Sequence, residues 1–208
     1  AGRIDDALGR IQALREHVDP DSDAFADSFL LEAELLDRDG QGERALAALE
    51  TGMAALPDVP RLQYARGLMR ERMDLVDGAL ADFQALVESE PDNPVYLNAY
   101  GYTLSDRTDR HEEALVMIER ALALNPDDAA TIDSMGWVLY RLGRNEEALS
   151  HLRRAYEQQD DGEIAAHLGE VLWVTGRRDE AREVWRKAQR KAPDNRVLEA
   201  TIERFEPW

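Results

Sequence analysis

The sequence contains no cysteine and only two lysines, Lys187 and Lys191, among its 208 residues. The lack of cysteine excludes disulfides, thiolate-ligated zinc and thiol nucleophiles, but oxidising and reducing compartments both tolerate such a helical chain. A run of roughly 18 consecutive apolar residues, as a membrane span requires, is missing. The first residues, AGRIDDALGR, also lack the basic and apolar segments of a secretion signal. The sequence itself therefore carries no recognisable targeting signal.

Positive charge is scarce as well. The chain has 25 Lys and Arg against 43 Asp and Glu, which gives a formal net charge of −18 and a pI of about 4.6. Such a chain repels the phosphates of nucleic acids and anionic membranes, so we expect no nucleic-acid partner, and a basic or neutral partner fits better. The hydrophobic content of 44% is sufficient for one or two domains with a sizeable core.

Three residue types recur along the chain with a period of about 34 residues. Each period holds two helix-length segments, the first with a glycine and the second with an alanine. Most periods end at a proline, which cannot continue a helix. The pattern therefore predicts an array of helical hairpins. Glycine stands at 67, 101, 136 and 169, alanine at 45, 79, 114, 148 and 181, and proline at 57, 91, 126 and 193, with Asp160 in the slot of a missing proline.

The recurring glycine needs a reason, because glycine inside a helix costs about 1 kcal/mol relative to alanine. We predict that the two helices of each pair cross most closely at the glycine, where a side chain would hold the backbones apart, and that the alanine faces it across the gap. Isolated helices of about 12 to 15 residues are marginal in water, so each pair must also bury its apolar side on its neighbours.

These residues resemble the tetratricopeptide repeat, whose pattern is W-x2-L-G-x2-Y…A-x3-F…P. The match is carried by Ile132, Met135, Gly136 and Leu139, followed by Ala148 and Leu152. Toward the N-terminus the pattern weakens, with Ala33 in the glycine slot and Arg66 and Arg70 where apolar residues are usual. The resemblance implies an all-α fold, a right-handed superhelix of stacked antiparallel helix pairs. The expected units are the second helix of a truncated repeat in 1–22, five repeats in 23–57, 58–92, 93–127, 128–161 and 162–194, and a capping helix in 195–208.

Residues with catalytic chemistry form no pattern in the sequence. The four histidines are scattered and form no metal-binding pair, and His111 is followed by two glutamates that suit a helix start. No phosphate loop and no nucleophile elbow is present. We therefore expect a protein that is not an enzyme and that needs no cofactor and no metal.

The same resemblance implies a protein-binding groove, lined by the first helix of each pair at positions just before and after the glycine. Aromatic residues with polar tips at these positions are typical of binding hot spots, whereas packing between repeats is the alternative interpretation for each. A lysine-rich clamp for a C-terminal carboxylate is disfavoured, because no first helix has a lysine. The expected groove residues are Asn98, Tyr102, Ser105, Asp133, Ser134, Trp137, Tyr140, Arg141, His167, Glu170 and Trp173.

One basic stretch, GRRDEAREVWRKAQRK (176–191), stands out against the acidic chain. It could dock an acidic partner or the acidic part of another copy, and a solvated helix exterior is the alternative. The candidate docking residues are Arg177, Arg178, Arg182, Arg186, Lys187, Arg190 and Lys191.

Three segments, 101–115, 133–149 and 165–185, resemble more closely the C-terminal repeats of proteobacterial outer-membrane lipoproteins of the tetratricopeptide class. That group includes an adaptor of a periplasmic carboxyl-terminal processing protease, which delivers cell-wall hydrolases to the protease. The resemblance implies a periplasmic, non-catalytic adaptor whose lipid anchor and further repeats precede residue 1. A general scaffold for another envelope or cytoplasmic complex and a self-associating module remain alternatives.

Overall fold

The computed structural model describes the backbone of residues 2–205 and the side chains of residues 4–205. Within this range every regular element is an α-helix and no strand occurs, so the fold is all-α as the repeat pattern predicted. The helices are α1 Gly2–Arg15, α2 Asp23–Arg38, α3 Gly42–Ala55, α4 Pro60–Arg72, α5 Val76–Ser89, α6 Pro94–Arg107, α7 His111–Leu124, α8 Ala129–Arg141, α9 Asn145–Gln158, α10 Gly162–Val174, α11 Arg178–Lys191 and α12 Arg196–Phe205.

The helices form successive pairs. Two helices lie within each range expected for a full repeat, from α2 and α3 in 23–57 to α10 and α11 in 162–194, while α1 lies in 1–22 and α12 in 195–208. The chain divides into two compact units, Ala1–Pro91 and Asp92–Trp208. The first unit holds α1 to α5 and the second holds α6 to α12, and within each unit the helix pairs pack on one another.

Short polar turns set the helix ends. Side chains of Ser22, Asn93, Asp128 and Asp161 accept hydrogen bonds from the free N–H groups at the start of the first helices, which supplies the missing acceptor. In four of the five pairs the turn between the two helices contains a left-handed residue, such as Gly143 with φ 77°, and the turn between α6 and α7 is the exception. Glycine adopts this conformation without the strain that a side chain would impose.

The first unit explains why Arg66 and Arg70 depart from the repeat pattern. Both arginines of α4 donate hydrogen bonds to the carboxylate of Asp82 on α5, with Arg66 Nε 3.0 Å from Oδ2 and Arg70 Nη1 2.8 Å from the same atom. Asp82 is buried. Arg66 and Arg70 can therefore occupy positions that are usually apolar, because the Asp82 carboxylate on the partner helix pairs with both.

The close contact at each glycine is confirmed, but the side chain nearest to it belongs to a larger residue than the predicted alanine, which contributes backbone. A Cβ atom on Gly136 would lie 2.5 Å from the Leu152 Cγ, and one on Gly67 would lie 2.6 Å from the Phe83 Cε1. The large residue four positions after the alanine therefore fills the crossing. Ala148 contributes its backbone oxygen, 3.1 Å from the same position on Gly136.

The first full repeat keeps the close crossing although Ala33 occupies the glycine slot. Here the glycine lies on the second helix: a Cβ atom on Gly52 of α3 would lie 2.8 Å from the Phe29 Cγ of α2. This contact lies about one helical turn from Ala33, whereas Leu49, four residues after Ala45, keeps the position of the large residue and is buried.

The helix α12 covers the end of the second unit. Its buried Leu198 and Ile202 pack toward the unit, and the ring of Phe205 lies 6.2 Å from that of Trp185 and 6.3 Å from that of Trp173. The apolar side of the last helix pair is thereby removed from water, as a capping helix does.

Candidate functional site

The first helices of the second unit bring their polar and aromatic side chains together. The helix α8 packs against both α6 and α10, and every residue from 131 to 139 is buried. Helical spacing aligns the members from each helix on one stripe. We call this set the inner face: Asn98, Tyr102, Ser105 and Asp106 of α6, Asp133, Trp137, Tyr140 and Arg141 of α8, and Glu163, His167, Glu170 and Trp173 of α10.

The centre of the inner face is His167. Its Nδ1 lies 2.7 Å from the Asp133 Oδ2, and its ring stacks on that of Trp137 with 4.3 Å between the centroids. Burial alone would lower the pKa of His167, but the Asp133 carboxylate outweighs this effect, and with Glu163 and Asp106 it raises the pKa to about 9. His167 is therefore a cation at neutral pH, and it holds α10 against α8.

The side chain of Tyr102 connects α6 directly to α10. Its hydroxyl donates a hydrogen bond to the Glu163 Oε1 at 3.1 Å and lies 3.5 Å from the His167 Nε2. This connection passes over the middle helix of the three, where residues 131–139 of α8 are buried between the neighbouring helices.

A second link joins α6 to α8 at the end of the stripe. The indole Nε1 of Trp137 donates to the Asp106 Oδ1 at 3.1 Å, and the Arg141 Nη1 donates to the backbone oxygen of Asp106 at 3.1 Å. Arg141 is thus engaged with a helix C-terminus, where its positive charge meets the negative end of the dipole of α6.

A third link extends from α8 to the capping helix. Glu170 is buried and accepts a hydrogen bond from the Tyr140 hydroxyl at 3.2 Å, and it also pairs with Arg204 of α12. Burial and the neighbouring Glu170 carboxylate raise the pKa of Tyr140, since both disfavour a phenolate.

Three polar atoms of the inner face are buried without a partner among the described residues: Asn98 Oδ1, Ser105 Oγ and Asp133 Oδ1. Ser105 is 0% exposed and Asp133 is 5% exposed. A buried polar group without a partner costs about 1 to 3 kcal/mol. All three atoms can accept a hydrogen bond, so the inner face has a surplus of acceptors.

The predicted groove residues fall into two groups. Buried ones contribute mainly to packing and to the network between helices, namely Ser105, Asp133, Ser134, Trp137, His167 and Glu170. Half-buried ones retain surface that another molecule can contact, namely Asn98, Tyr102, Tyr140, Arg141 and Trp173.

The predicted basic face is largely engaged within the protein. Both lysines of the chain converge on Asp160, with Lys187 Nζ 3.0 Å from the Oδ2 and Lys191 bonded to the same atom. Lys191 and Lys187 lower the pKa of Asp160 to about 2. Arg177 pairs with Glu146 and Arg182 with Asp179. Within residues 4–205, the side chains of Arg178, Arg186 and Arg190 form no ion pair.

Sequence reasoning missed three members of this site: Asp106, Glu163 and Arg204. Asp106 lies five residues after Gly101, the same offset that led to Arg141 after Gly136, so the repeat itself could have identified it. Glu163 and Arg204 follow no repeated offset, because their roles depend on contacts with α6 and on the capping helix.

The geometry places the protein in the class of helical-hairpin arrays. The first helices of its second unit carry a polar surface on which some groups have hydrogen-bond partners and others do not. Among the described residues no group of three or more His, Asp or Glu is arranged to hold a metal ion. The described helices include none with the length and apolar character to cross a membrane.

Comparison with known proteins identifies the family. The tetratricopeptide repeat family profile matches residues 30–94 and 134–196, more than half of the chain, and the chain therefore belongs to the tetratricopeptide repeat family. Such repeats are generally non-catalytic interaction modules. The protein named "TPR repeat-containing protein PA4667" from Pseudomonas aeruginosa is 42% identical over 167 residues, which cover 80% of this chain and 28% of that protein. The chain thus spans less than a third of this relative.

Solved structures agree on the fold. A thermophilic TPR protein of Thermus thermophilus, TTC0263, is similar with a TM-score of 0.75 and 25% identity, over 84% of this chain and 95% of that one. A tetratricopeptide repeat protein from Parabacteroides merdae has a TM-score of 0.71 at 12% identity, over 99% of this chain and 86% of that one, and shows the fold alone.

Proposed function

We propose that this chain is a non-catalytic adaptor that holds another protein on the inner face of its second unit. The observation that carries the proposal is the set of half-buried side chains along the inner face, Asn98, Tyr102, Tyr140, Arg141 and Trp173. Aromatic bodies with polar tips, interleaved with an amide and a guanidinium, offer a bound peptide both contact area and hydrogen-bond partners.

We further propose that the partner is a periplasmic carboxyl-terminal processing protease or its cell-wall hydrolase substrates, with the parent protein anchored to the outer membrane by a lipid. Support comes from the resemblance of segments 101–115, 133–149 and 165–185 to lipoproteins of this class. An adaptor of this kind raises the effective concentration of substrate near protease without chemistry of its own.

The test combines capture with a matched pair of variants. The purified chain is immobilised and exposed to the purified protease, and the cleavage of a hydrolase substrate is measured with and without the chain. Tyr102→Ala on α6 should weaken capture, while Tyr156→Ala, which alters a half-buried tyrosine on the second helix α9, should leave it unchanged. Normal capture by both variants would contradict the proposal that the inner face binds the partner. Capture of other envelope proteins without the protease would favour a general scaffold.

Self-association is a second candidate, favoured by the exposed arginines Arg178, Arg186 and Arg190 on a chain of net charge −18. The acidic body of one copy attracts such a surface on another, and salt screens the attraction. Light scattering should then reveal an oligomer at low salt that dissociates as salt is added, whereas a monomer at every salt concentration would exclude it.

A further inference from the structure

The helix α11 ends in a run of positive charge. Residues 186–191, RKAQRK, contain four cations and no carboxylate, and we call them the basic end of α11. The negative end of a helix dipole corresponds to only about half an elementary charge. The dipole of α11 therefore stabilises this run of cations but does not neutralise it.

The two lysines of the basic end are engaged within the protein, whereas its two arginines are not. Lys187 and Lys191 share the single carboxylate of Asp160. Arg186 and Arg190 are exposed and form no ion pair with any residue in the range 4–205. One negative charge thus meets two ammonium groups, and both guanidinium groups remain open to the solution.

The carboxylates that adjoin the two arginines along the chain leave them uncompensated. Glu183 lies one helical turn before Arg186, and Asp194 lies in the turn that follows α11. Both are exposed, and neither forms an ion pair with an arginine in the described part of the chain. Most arginines outside α11 do pair with a carboxylate. Unpaired guanidinium groups are therefore a feature of this helix and not of the acidic chain in general.

The spacing of Arg186 and Arg190 suits two carboxylates of one peptide. Residues four apart lie on the same side of a helix, about 6 Å apart along its axis. Alternate side chains of an extended peptide also point to one side, roughly 6.6 to 6.8 Å apart. Two acidic residues with one residue between them can therefore each reach one guanidinium, which donates two parallel hydrogen bonds to a carboxylate.

We infer that the basic end of α11 docks an acidic segment of another protein. This inference goes beyond the proposed function, because the surface belongs to a second helix, whereas first helices form the inner face. Two attachment surfaces on one chain bring two proteins together.

A short segment fits this surface better than a larger anionic body does. At physiological salt, exposed charges more than about 8 Å apart are largely screened from each other. A narrow peptide therefore meets the cations of α11 alone. A membrane surface, or a second copy with its net charge of −18, also meets the carboxylates of the neighbouring helices.

The test uses two peptides that carry an uncharged dye, one with three glutamates alternating with glycine and one with glutamines in the same places. Fluorescence anisotropy measures their binding to the full chain. The variant Arg186→Gln/Arg190→Gln removes two positive charges from the basic end. The control Arg10→Gln/Arg38→Gln removes two from exposed positions on α1 and α2, so both variants have the same net charge. Circular dichroism verifies that both retain their helical content.

We expect the glutamate peptide to bind at least about fivefold more tightly than the glutamine peptide, with a difference that shrinks as salt is added. The variant at the basic end should lose about fivefold in affinity for the glutamate peptide, and the control less than about twofold. Equal binding of the two peptides, or equal losses in the two variants, would overturn the inference.

The other occupants of this surface are tested in parallel. Sedimentation velocity of the chain alone detects self-association, and cosedimentation with vesicles of phosphatidylglycerol and phosphatidylcholine detects binding to anionic lipid. An oligomer or a vesicle complex that Arg186→Gln/Arg190→Gln abolishes, without selection of the glutamate peptide, would assign the basic end to a second copy or to a lipid and overturn the inference. A monomer that selects the glutamate peptide and leaves the vesicles in solution supports it.

The variant Tyr102→Ala separates this inference from the proposed function. It alters the inner face on α6, so it should leave the affinity for the glutamate peptide unchanged. A loss as large as that of Arg186→Gln/Arg190→Gln would mean that the peptide binds the inner face, and the inference would fail.

Discussion

A single methyl group at Gly169 tests the packing that the repeat depends on. Gly169 of α10 contacts the indole of Trp185 on α11: a Cβ atom at this position would lie 1.9 Å from Nε1, 2.4 Å from Cε2 and 2.6 Å from Cδ1. The indole cannot withdraw easily, because Trp185 is 2% exposed and stacks on Trp173 and Phe205. Gly169→Ala therefore forces a rigid ring, or the helix, to move.

Two opposing effects determine how much Gly169→Ala changes the free energy of unfolding. Overpacking a dense core costs about 1 to 3 kcal/mol, and contacts this short place the cost near the upper end. Alanine regains about 1 kcal/mol of helix propensity relative to glycine. The net loss in the free energy of unfolding is therefore about 2 kcal/mol, which lowers the melting temperature by roughly 4 to 8 °C for a protein of this size.

The same substitution at Gly9 is the matched control. Gly9 lies within α1, and a Cβ atom there would have nothing within 4 Å. Only the difference in helix propensity between glycine and alanine remains, so Gly9→Ala should stabilise the chain by about 0.5 to 1 kcal/mol. Circular dichroism follows both variants during thermal unfolding, and tryptophan fluorescence follows the second unit selectively because every tryptophan lies beyond residue 91.

The reasoning is refuted if Gly169→Ala stabilises the chain as Gly9→Ala does. A second variant isolates the cause. Trp185→Leu removes the ring and is destabilising by itself, but adding Gly169→Ala to it should then cost much less than in the native background. Equal costs in both backgrounds would mean that the indole is not what the methyl group meets.

Two further predictions concern buried charges. Asp82→Ala leaves Arg66 and Arg70 without their shared buried carboxylate, so the first unit should lose about 3 kcal/mol of stability in urea unfolding, and an unchanged midpoint would contradict this. His167 has a pKa of about 9 in the folded chain against 6.5 in the unfolded one, so its folded surroundings, chiefly the Asp133 carboxylate, favour the charged form by about 3 kcal/mol. This contribution to the free energy of unfolding is fully present below pH 6.5 and is lost as the pH rises through about 9. The loss of stability caused by His167→Gln should therefore shrink over that range, and a loss that does not change with pH would contradict a charged His167.

Much of the fold could be predicted from the sequence because the signals are local and repeated. Glycine, alanine and proline each restrict the backbone or the packing distance in a way that their period reveals. The partner of the glycine was harder to predict. A large residue such as Leu152 or Trp185 lies against it, and which side chain fills a crossing depends on how two helices are rotated toward each other.

The candidate site was only partly predictable for a related reason. The offsets from the glycine identify which residues share a stripe, and they led to Tyr102, Trp137 and His167. They do not tell how deeply a stripe is buried. Trp137 is 6% exposed, stacked on His167 of α10 and bonded to Asp106 of α6, and such contacts between residues about 30 positions apart are encoded by no local pattern.

The convergence of both lysines on Asp160 has a practical consequence. Apart from the α-amino group of the chain, amine-reactive dyes, crosslinkers and sensor surfaces find only two reactive side chains, and both belong to α11. A copy that is coupled through a lysine is therefore always held by this one helix. The same acylation would remove the charges that bind Asp160 and loosen the junction between α11 and the end of α9.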